Sequence, residues 1–409
     1  MSDQNNTQIL KVYTGDLEIG MYVSKLDRPW LETTFLFQGF RIETDVDIEA
    51  VENACKFVYV DTLKSAELDY PHLRNQVRSK RKKPRYEISK PVEHELKAAY
   101  KEYSASLGAI EQLLSDVQEH NSFDSKPVKQ HVKQFTSSIL RNPSAMMWLS
   151  RIKHADNYTA EHCLNVGMLA VSLGRHLGFE RSDLETLGLS GMLHDVGKML
   201  IDPTVLNKTG KLTGDEFDLI KQHTVLGKDM LESDTTLSPA VIESAYYHHE
   251  RVDGSGYPAG INASRLSVFC RIITIVDAFD AMTSQRCYSK AKPVSEALKI
   301  LYDNRAEQFD EELTVKFIEC MGIYPPGCIV ELETGEVGFV INNTPSDRLL
   351  PRVALLLDQN KLPVVQHIKD LSKISSEPDS GKNHIRTALP DGSYGLYLKE
   401  FTQNNINLG

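Results

Sequence analysis

The chain has 409 residues, 41% hydrophobic and 25% charged, which is typical of a globular protein of two or three domains. Its formal net charge of −10 argues against a general nucleic-acid or membrane-surface binder, so neither DNA nor a membrane is expected as a partner. No apolar run is long enough to span a bilayer, and the N-terminus lacks a signal-peptide pattern. The 6 cysteines are scattered, without a Cys-x-x-Cys pair, and fit reduced thiols. We therefore expect a cytoplasmic protein.

Residues 1–78 are predicted to form a small α+β module, because short β-like runs at 11–13, 34–37 and 57–60 are separated by turn residues. Trp30 is interpreted as a core or interface residue. No cluster of chemically active residues marks this module, and a regulatory or oligomerisation role for it is a hypothesis. Residues 79–91 combine a basic run with two prolines and are predicted to be a linker.

Residues 92–321 are predicted to be helical. Apolar residues recur every three or four positions from Val92 to Val117, which indicates one long amphipathic helix. Its apolar face is interpreted either as packing on its own domain or as pairing in a homodimer. Further helical patterns cover 127–140, 160–178, 183–199, 214–231, 239–249, 267–285, 294–304 and 311–321.

Residues 322–409 change character, because β-branched and polar residues alternate at 328–332, 335–342 and 352–357. We predict a short antiparallel β appendage there. The fold class expected for the whole chain is mainly α, with a small α+β module at the N-terminus and this appendage at the C-terminus.

The histidine and aspartate residues of the helical segments are the ones that indicate a chemical function. A single histidine in a helix is more often a hydrogen-bonded core residue than a metal ligand, but the set as a whole predicts a metal site. Mixed nitrogen and oxygen ligands suit iron or manganese, and nickel or zinc are also compatible. Seven ligands exceed the four of a structural zinc site, so two ions sharing the Asp195 carboxylate are expected. Such a pair, about 3.5–4 Å apart, is suited to phosphoester hydrolysis. The set comprises His162, His194, Asp195, His223, His248, His249 and Asp277.

These residues lie in motifs that resemble the HD-GYP family, the bacterial cyclic-di-GMP phosphodiesterases of the HD phosphohydrolase superfamily. The resemblance runs from about Tyr158 to Met321 and implies an all-helical HD-type core. The matching stretches are His194-Asp195-Val196-Gly197-Lys198, His223-Thr224-Val225-Leu226-Gly227, residues 248–258 (HHERVDGSGYP) and residues 271–286 (RIITIVDAFDAMTSQR).

The resemblance assigns roles residue by residue. It places the seven histidines and aspartates in the family's metal-ligand positions and makes Asp195 and Lys198 catalytic, with Lys198 at the scissile phosphate. It also implies a substrate-binding set of Lys208, Arg251, Gly256, Tyr257, Pro258 and Arg286. For Tyr257, stacking on guanine, hydrogen bonding to phosphate and packing that holds the loop remain open.

Three sequence features qualify the resemblance. Some members bind a third metal through a glutamate four residues before the first histidine, whereas Tyr158 stands there here, so two ions are expected. Residues 286–290 read Arg-Cys-Tyr-Ser-Lys where many members have Arg-Pro-Tyr-Arg or Arg-Pro-Tyr-Lys, so one basic substrate contact is either missing or displaced to Lys290. Residues 20–30 resemble a domain of unknown function that often precedes HD-GYP domains.

The expected activity is metal-dependent hydrolysis of cyclic-di-GMP to linear pGpG, with further cleavage to GMP left open. Two alternatives remain. The same site is compatible with 3′,3′-cGMP-AMP or a mononucleotide, and the chain could instead be a catalytically silent scaffold that binds a cyclic dinucleotide.

Overall fold

The computed structural model describes residues 9–28, 33, 35, 39–61, 65, 86–152, 158–208, 210–284, 291–344, 347–373 and 384–404. The chain divides into two compact units, Met1–Lys82 and Lys83–Gly409. Trp30, the basic run of the predicted linker and, apart from Phe35, the predicted strand at 34–37 lie outside the described residues.

The first unit contains an antiparallel sheet and one helix. Its elements are β1 (Ile9–Tyr13), β2 (Tyr22–Leu26), β3 (Phe40–Arg41), α1 (Asp45–Ala54) and β4 (Phe57–Asp61), and the strand order is β1-β4-β2-β3. Thr44 and Asp47 form a capping box that begins α1, a helix for which no separate prediction was made. Val23, Val51 and Val58 are fully buried between sheet and helix. The predicted α+β character is confirmed.

The second unit is built around helices, as expected for the HD-type core. The described helices that precede Asp195 are α2 (Val92–His120), α3 (Lys126–Arg141), α4 (Pro143–Leu149), α5 (Tyr158–His176) and α6 (Arg181–Leu193). They are followed by a 3₁₀ helix (Val196–Leu200), α7 (Pro203–Leu206), α8 (Gly214–Lys221), α9 (His223–Leu231), α10 (Pro239–Tyr247), α11 (Val268–Thr283), α12 (Val294–Asp303) and α13 (Glu311–Met321).

Two predicted helices are each broken into two. The segment predicted at 183–199 ends as an α-helix at Leu193 and continues as a 3₁₀ helix only from Val196. The segment predicted at 214–231 is interrupted at Gln222. Apolar periodicity continues across both breaks, so it does not reveal them. Each break leaves a histidine of the predicted metal set at a helix end.

The long helix α2 buries its predicted apolar face within its own unit. Leu96, Tyr103, Ile110 and Val117 are among the buried residues that contribute to the helical core. The helix ends at Asn121, whose positive φ of 49° gives a left-handed cap. This packing agrees with the first interpretation of the face, and a homodimer is not needed to cover it.

The C-terminal strands share a core with the helices. They are β5 (Ile329–Leu332), β6 (Val337–Thr344), β7 (Asp347–Leu357), β8 (Pro363–Asp370) and β9 (Ile385–Leu389), in the antiparallel order β8-β7-β6-β5-β9, followed by α14 (Leu398–Asn404). Trp148 of α4 is fully buried against Phe339 and Phe401, and its Nε1–H donates to Thr402 Oγ1 at 3.0 Å. The helical core and the C-terminal elements therefore stabilise each other.

None of the helices in the described ranges is long and apolar enough to cross a membrane.

Replacing Thr402 with valine should lower the free energy of unfolding by about 1–3 kcal/mol, because the buried Trp148 N–H loses its acceptor. Urea unfolding followed by both tryptophan fluorescence and far-ultraviolet circular dichroism would measure it. The double variant Thr402→Val/Trp148→Phe should lower the free energy of unfolding by less than the sum of the two single changes, since neither hydrogen-bond partner then remains unpaired. Strict additivity would show that this hydrogen bond does not couple the C-terminal helix to the core.

Candidate active site

Five helices or helix ends bring the seven predicted metal ligands together. Their side chains form two groups in which the ligand atoms lie within 4.8 Å of one another. One group contains His162, His194 and Asp277, and the other contains Asp195, His223, His248 and His249. All except His249, which is half-buried, are buried.

The Asp195 carboxylate lies between the two groups. Its Oδ2 is 3.2 Å from His194 Nε2 and 3.6 Å from His162 Nε2. Its Oδ1 is 3.4 Å from His223 Nε2 and 3.5 Å from His248 Nε2. Each carboxylate oxygen thus faces a different pair of histidines, which is the arrangement expected of a ligand shared by two ions.

The other two ligands complete one group on each side. Asp277 Oδ1 is 3.0 Å from His162 Nε2 and 3.8 Å from His194 Nε2, so it lies with the pair that faces Oδ2. The His249 ring lies against the rings of His248 and His223, with centroid distances of 4.1 and 5.1 Å.

Backbone carbonyls orient three of the histidines. Nδ1 of His194 lies 2.7 Å from the Gly191 carbonyl, and Nδ1 of His223 lies 2.6 Å from that of Ile220. Nδ1 of His248 similarly lies 3.0 Å from the Ala245 carbonyl. Because a carbonyl can only accept, Nδ1 carries the proton in each ring and Nε2 presents its lone pair to the cluster.

His162 is oriented by a carboxylate instead. Its Nδ1 lies 2.8 Å from Asp280 Oδ2, and the Ser284 hydroxyl donates to the same oxygen at 3.1 Å. The Tyr158 ring stacks on that of His162, with the ring centroids 5.7 Å apart and the planes nearly parallel. Tyr158 therefore contacts a predicted ligand from the position where some family members carry the extra glutamate.

The donor set fits divalent metal ions. Within the described part of the chain, His194 Nε2 and Asp195 Oδ1 are buried and form no hydrogen bond, although a buried polar atom normally has a partner. Both point into the cluster, and nitrogen and carboxylate oxygen are ligands for first-row divalent metals. The residues present therefore suit two such ions.

The electrostatics keep Asp195 and Asp277 ionised and shift the pKa values of His162 and His223 in opposite directions. Burial opposes ionisation, yet His194 and Lys198 hold the pKa of Asp195 well below its usual range, and His162 does the same for Asp277. Burial lowers the pKa of His223 to about 3. At His162 burial acts in the same direction but is outweighed by Asp277 and Asp280, which raise its pKa to about 9.

Lys198 approaches the site through Asp195. Its Nζ is 2.5 Å from Asp195 Oδ2, and its side chain is about one-quarter exposed while the carboxylate is buried. The ammonium group thus lies where the cluster meets solvent. A phosphate approaching the ions would meet this cation.

At Gly197 the backbone of the 3₁₀ helix packs closely against the backbone of α9. A Cβ on Gly197 would lie 2.0 Å from the His223 carbonyl oxygen and 2.5 Å from Gly227 N. Any larger residue would push the 3₁₀ helix away from α9. Gly197 therefore allows Asp195 and His223 to face each other.

Glu250 organises the loop that follows His249. The buried Glu250 carboxylate accepts backbone hydrogen bonds from Ala259, Gly260 and Ile261 at 2.6, 2.9 and 3.2 Å. A Cβ on Gly256 would lie 2.5 Å from the backbone of Glu250, so glycine is required there.

Tyr257, next in this loop, packs its ring 4.7 Å from that of His249. Burial, together with the charges of Asp195 and Asp277, raises the pKa of its hydroxyl, which therefore stays protonated. Pro258 follows it through a cis peptide bond. The packing role considered for Tyr257 is visible here, and its contact with substrate stays a prediction.

The remaining predicted substrate residues are less directly placed. Lys208 Nζ forms a double contact with the Glu216 carboxylate, at 2.7 Å to each oxygen, so it ties the 201–212 loop to α8. Arg251 lies 3.7 Å from Asp253 and is about one-third exposed. Arg286 and Lys290 lie outside the described residues. Substrate contacts of all four stay predictions.

Sequence reasoning missed three supporting residues. Asp280, one turn after Asp277, received no role although i and i+3 share a helix face. Glu250 directly follows the two histidines and was not singled out. Gly197 was quoted only as part of a motif, because a close backbone approach leaves no trace in a single sequence.

Comparison with known proteins shows the family of the chain. Residues 128–313 match the HD domain family, and residues 9–128 match a domain of unknown function, DUF3391. Cyclic di-GMP phosphodiesterase PA4108 of Pseudomonas aeruginosa is 32% identical over 366 residues, which cover 87% of this chain and 87% of the relative. This chain belongs to the HD-GYP family.

Two further matches are less similar in sequence. The 3′3′-cGAMP-specific phosphodiesterase 3 of Vibrio cholerae is 28% identical over 253 residues, covering 57% of this chain and 54% of the relative. A solved structure, the HDG"Y"P protein Bd1817 of Bdellovibrio bacteriovorus, covers 76% of this chain and 98% of its own at 16% identity and a TM-score of 0.46. The HD-GYP resemblance and the predicted mainly helical fold are confirmed by the sequence matches and the described helices.

Asp280→Ala should weaken metal binding by about 10- to 100-fold, because His162 loses the acceptor that orients it. Asp280→Asn retains an acceptor oxygen and should weaken binding less. Manganese affinity measured by competition with a chelator, with bound metal determined per chain, would give both values.

Asp303→Asn is the matched control, since Asp303 is exposed and pairs only with Lys299 at 2.6 Å among the ion pairs described. It should bind manganese like the unchanged protein. Equal affinity in Asp280→Ala and Asp303→Asn would refute a positioning role for Asp280.

Proposed function

We propose that this HD-GYP protein is a metal-dependent phosphodiesterase that hydrolyses cyclic-di-GMP to linear pGpG, and that His162, His194, Asp195, His223, His248, His249 and Asp277 hold two divalent ions. Iron or manganese is the preferred pair, and nickel or zinc fits the same donors. The relative that covers most of this chain is named a cyclic di-GMP phosphodiesterase, which supports the substrate class.

One observation carries the proposal. The two oxygens of a single buried carboxylate, Asp195, face separate histidine pairs at 3.2–3.6 Å. A structural metal site has no use for such a shared ligand, whereas phosphodiester hydrolysis uses two adjacent ions. When bound, the ions would lower the pKa of a water and polarise the phosphoryl group.

The chain's own residues supply orientation and charge. Three backbone carbonyls and Asp280 orient four of the five histidine rings, so most of the site is organised before substrate arrives. Lys198 can donate charge-assisted hydrogen bonds to a phosphate oxygen as negative charge develops. In the reaction a water oxygen bonds to phosphorus and releases a proton to solvent, the bond from phosphorus to the 3′ oxygen breaks, and that 3′ oxygen takes a proton from solvent.

A second substrate is supported by one comparison. A relative that matches over 57% of this chain is named a 3′3′-cGAMP-specific phosphodiesterase. The scissile linkages of 3′,3′-cGMP-AMP and cyclic-di-GMP are alike, so the same ligand set would serve either. A silent binding scaffold is disfavoured, because such a protein has no need to keep all seven ligands.

The decisive experiment is anaerobic purification and metal analysis, followed by incubation with cyclic-di-GMP and 3′,3′-cGMP-AMP side by side. Two ions per chain and release of pGpG support the proposal, and relative turnover ranks the substrates. Two ions with both dinucleotides left uncleaved would overturn it and favour the scaffold.

Asp195→Ala should reduce turnover by at least about 10³-fold, because it removes the shared ligand and the partner of Lys198. Bound metal should fall, while far-ultraviolet circular dichroism should show nearly unchanged helix content. Loss of activity with full metal occupancy would assign Asp195 a different role.

Glu250→Gln should raise the KM for the cleaved dinucleotide by about 10-fold with metal content unchanged, since one amide oxygen cannot satisfy three backbone donors and a lost bond costs about 1–3 kcal/mol. The exposed Glu296→Gln serves as the control. A lower metal content with unchanged KM would mean that Glu250 supports the ligands rather than the Tyr257 loop.

A further inference from the structure

An exposed aromatic side chain lies near the cluster of proposed metal ligands. Phe217 of α8 is 45% exposed, and its ring centroid lies 6.2 Å from that of Tyr257 at an interplanar angle of 79°. Tyr257 in turn lies 4.7 Å from the ring of His249, one of the proposed ligands. Two ring contacts therefore connect the cluster to an exposed aromatic surface.

Core packing does not explain this phenylalanine. None of the eight residues of α8 is buried. The exposed part of the Phe217 ring gains nothing from folding, because that apolar area stays in contact with water. Isolated exposed apolar residues are common, but this one borders a site.

A cation accompanies the two rings. Lys221 follows Phe217 by four residues and shares its helix face. Its Nζ lies 5.2 Å from the Phe217 centroid and 5.9 Å from that of Tyr257, and it also contacts Asp218 at 2.6 Å. An ammonium group has three donors and no acceptor, so it can serve a ligand acceptor besides this carboxylate.

We propose that Phe217, Tyr257 and Lys221 form a guanine-binding subsite, in which a base stacks on Phe217 and Lys221 donates to its O6 and N7. This inference rests on the proposed function, since it places one base of the dinucleotide beside the phosphate held at the cluster. Base stacking on an aromatic side chain contributes about 1–3 kcal/mol. Lysine suits guanine, which presents two adjacent acceptors, better than adenine, which presents an acceptor beside a donor.

The test compares ligands that differ only in the base. GMP, AMP and ribose 5-phosphate are titrated calorimetrically into the manganese-loaded protein, and the ratio of the ribose 5-phosphate Kd to the GMP Kd measures the contribution of the base. Phe217→Ala should weaken GMP binding by about 10-fold, as expected for one lost stacking contact, and leave ribose 5-phosphate unaffected. Phe217→Trp should restore GMP binding. Lys221→Met should bring the GMP and AMP affinities together.

Leu219→Ala provides the matched control. Leu219 is 43% exposed on the same helix, but it stands two residues, or about 200°, around from Phe217. It should change neither Kd. Unchanged GMP binding in Phe217→Ala, or an equal loss for GMP and ribose 5-phosphate, would overturn the subsite. A changed elution volume on size exclusion with unchanged GMP binding would also overturn it, in favour of a protein-docking surface.

Failure of the proposed function gives a different result. In that case the unchanged protein leaves cyclic-di-GMP uncleaved, whatever the Kd ratio. A GMP Kd no lower than that of ribose 5-phosphate in the unchanged protein overturns the subsite even if cyclic-di-GMP is cleaved.

Discussion

The buried carboxylate of Asp195 is the group on which the rest of the site depends. An ionised carboxylate away from water is costly unless other charges and polar groups compensate for it. Here Lys198 contacts one oxygen at 2.5 Å, and the proposed divalent ions, shared with the four histidine nitrogens that lie within 3.6 Å of the two oxygens, would supply the remaining positive charge. Placing this many groups around the Asp195 carboxylate requires several helices to converge on it. The packing of the helices and the charge balance at Asp195 therefore depend on each other.

Local backbone geometry makes that convergence possible. His194, His223 and His248 each bond through Nδ1 to the carbonyl three residues earlier, at a helix end or break. Carbonyls at a helix C-terminus lack intrahelical partners and are free to accept. His162 lies inside α5, where carbonyls are used by the helix, and it takes Asp280 from α11 as its acceptor instead. The two ways of orienting a ring follow from where each histidine stands relative to its helix.

The same geometry explains how far the sequence could predict the structure. Apolar periodicity predicts α2 and the mainly helical core well, because the buried face repeats at every turn. It fails at His194 and Gln222, where the apolar pattern continues although the helix does not. The clustering of the seven histidines and aspartates could be predicted because these residue types are chemically distinctive. Gly197 and Glu250 were not, because their roles depend on backbone atoms distant in sequence or in the following loop. Trp148 likewise gives no sign that it bonds to Thr402, 254 positions away.

The buried cluster of histidines and aspartates is suited to phosphodiester cleavage, whereas the surface around it is suited to base recognition. The proposed ligand set would act on a phosphodiester, and that group is the same in cyclic-di-GMP and 3′,3′-cGMP-AMP, which differ in one base. Discrimination between them must therefore come from side chains that reach the bases, outside the buried cluster. The outer surface of α8 is suited to this task because no residue of that helix is committed to the core. Substitutions there can alter base contacts at little cost in stability, whereas a change at Asp195 disturbs both ligand groups at once.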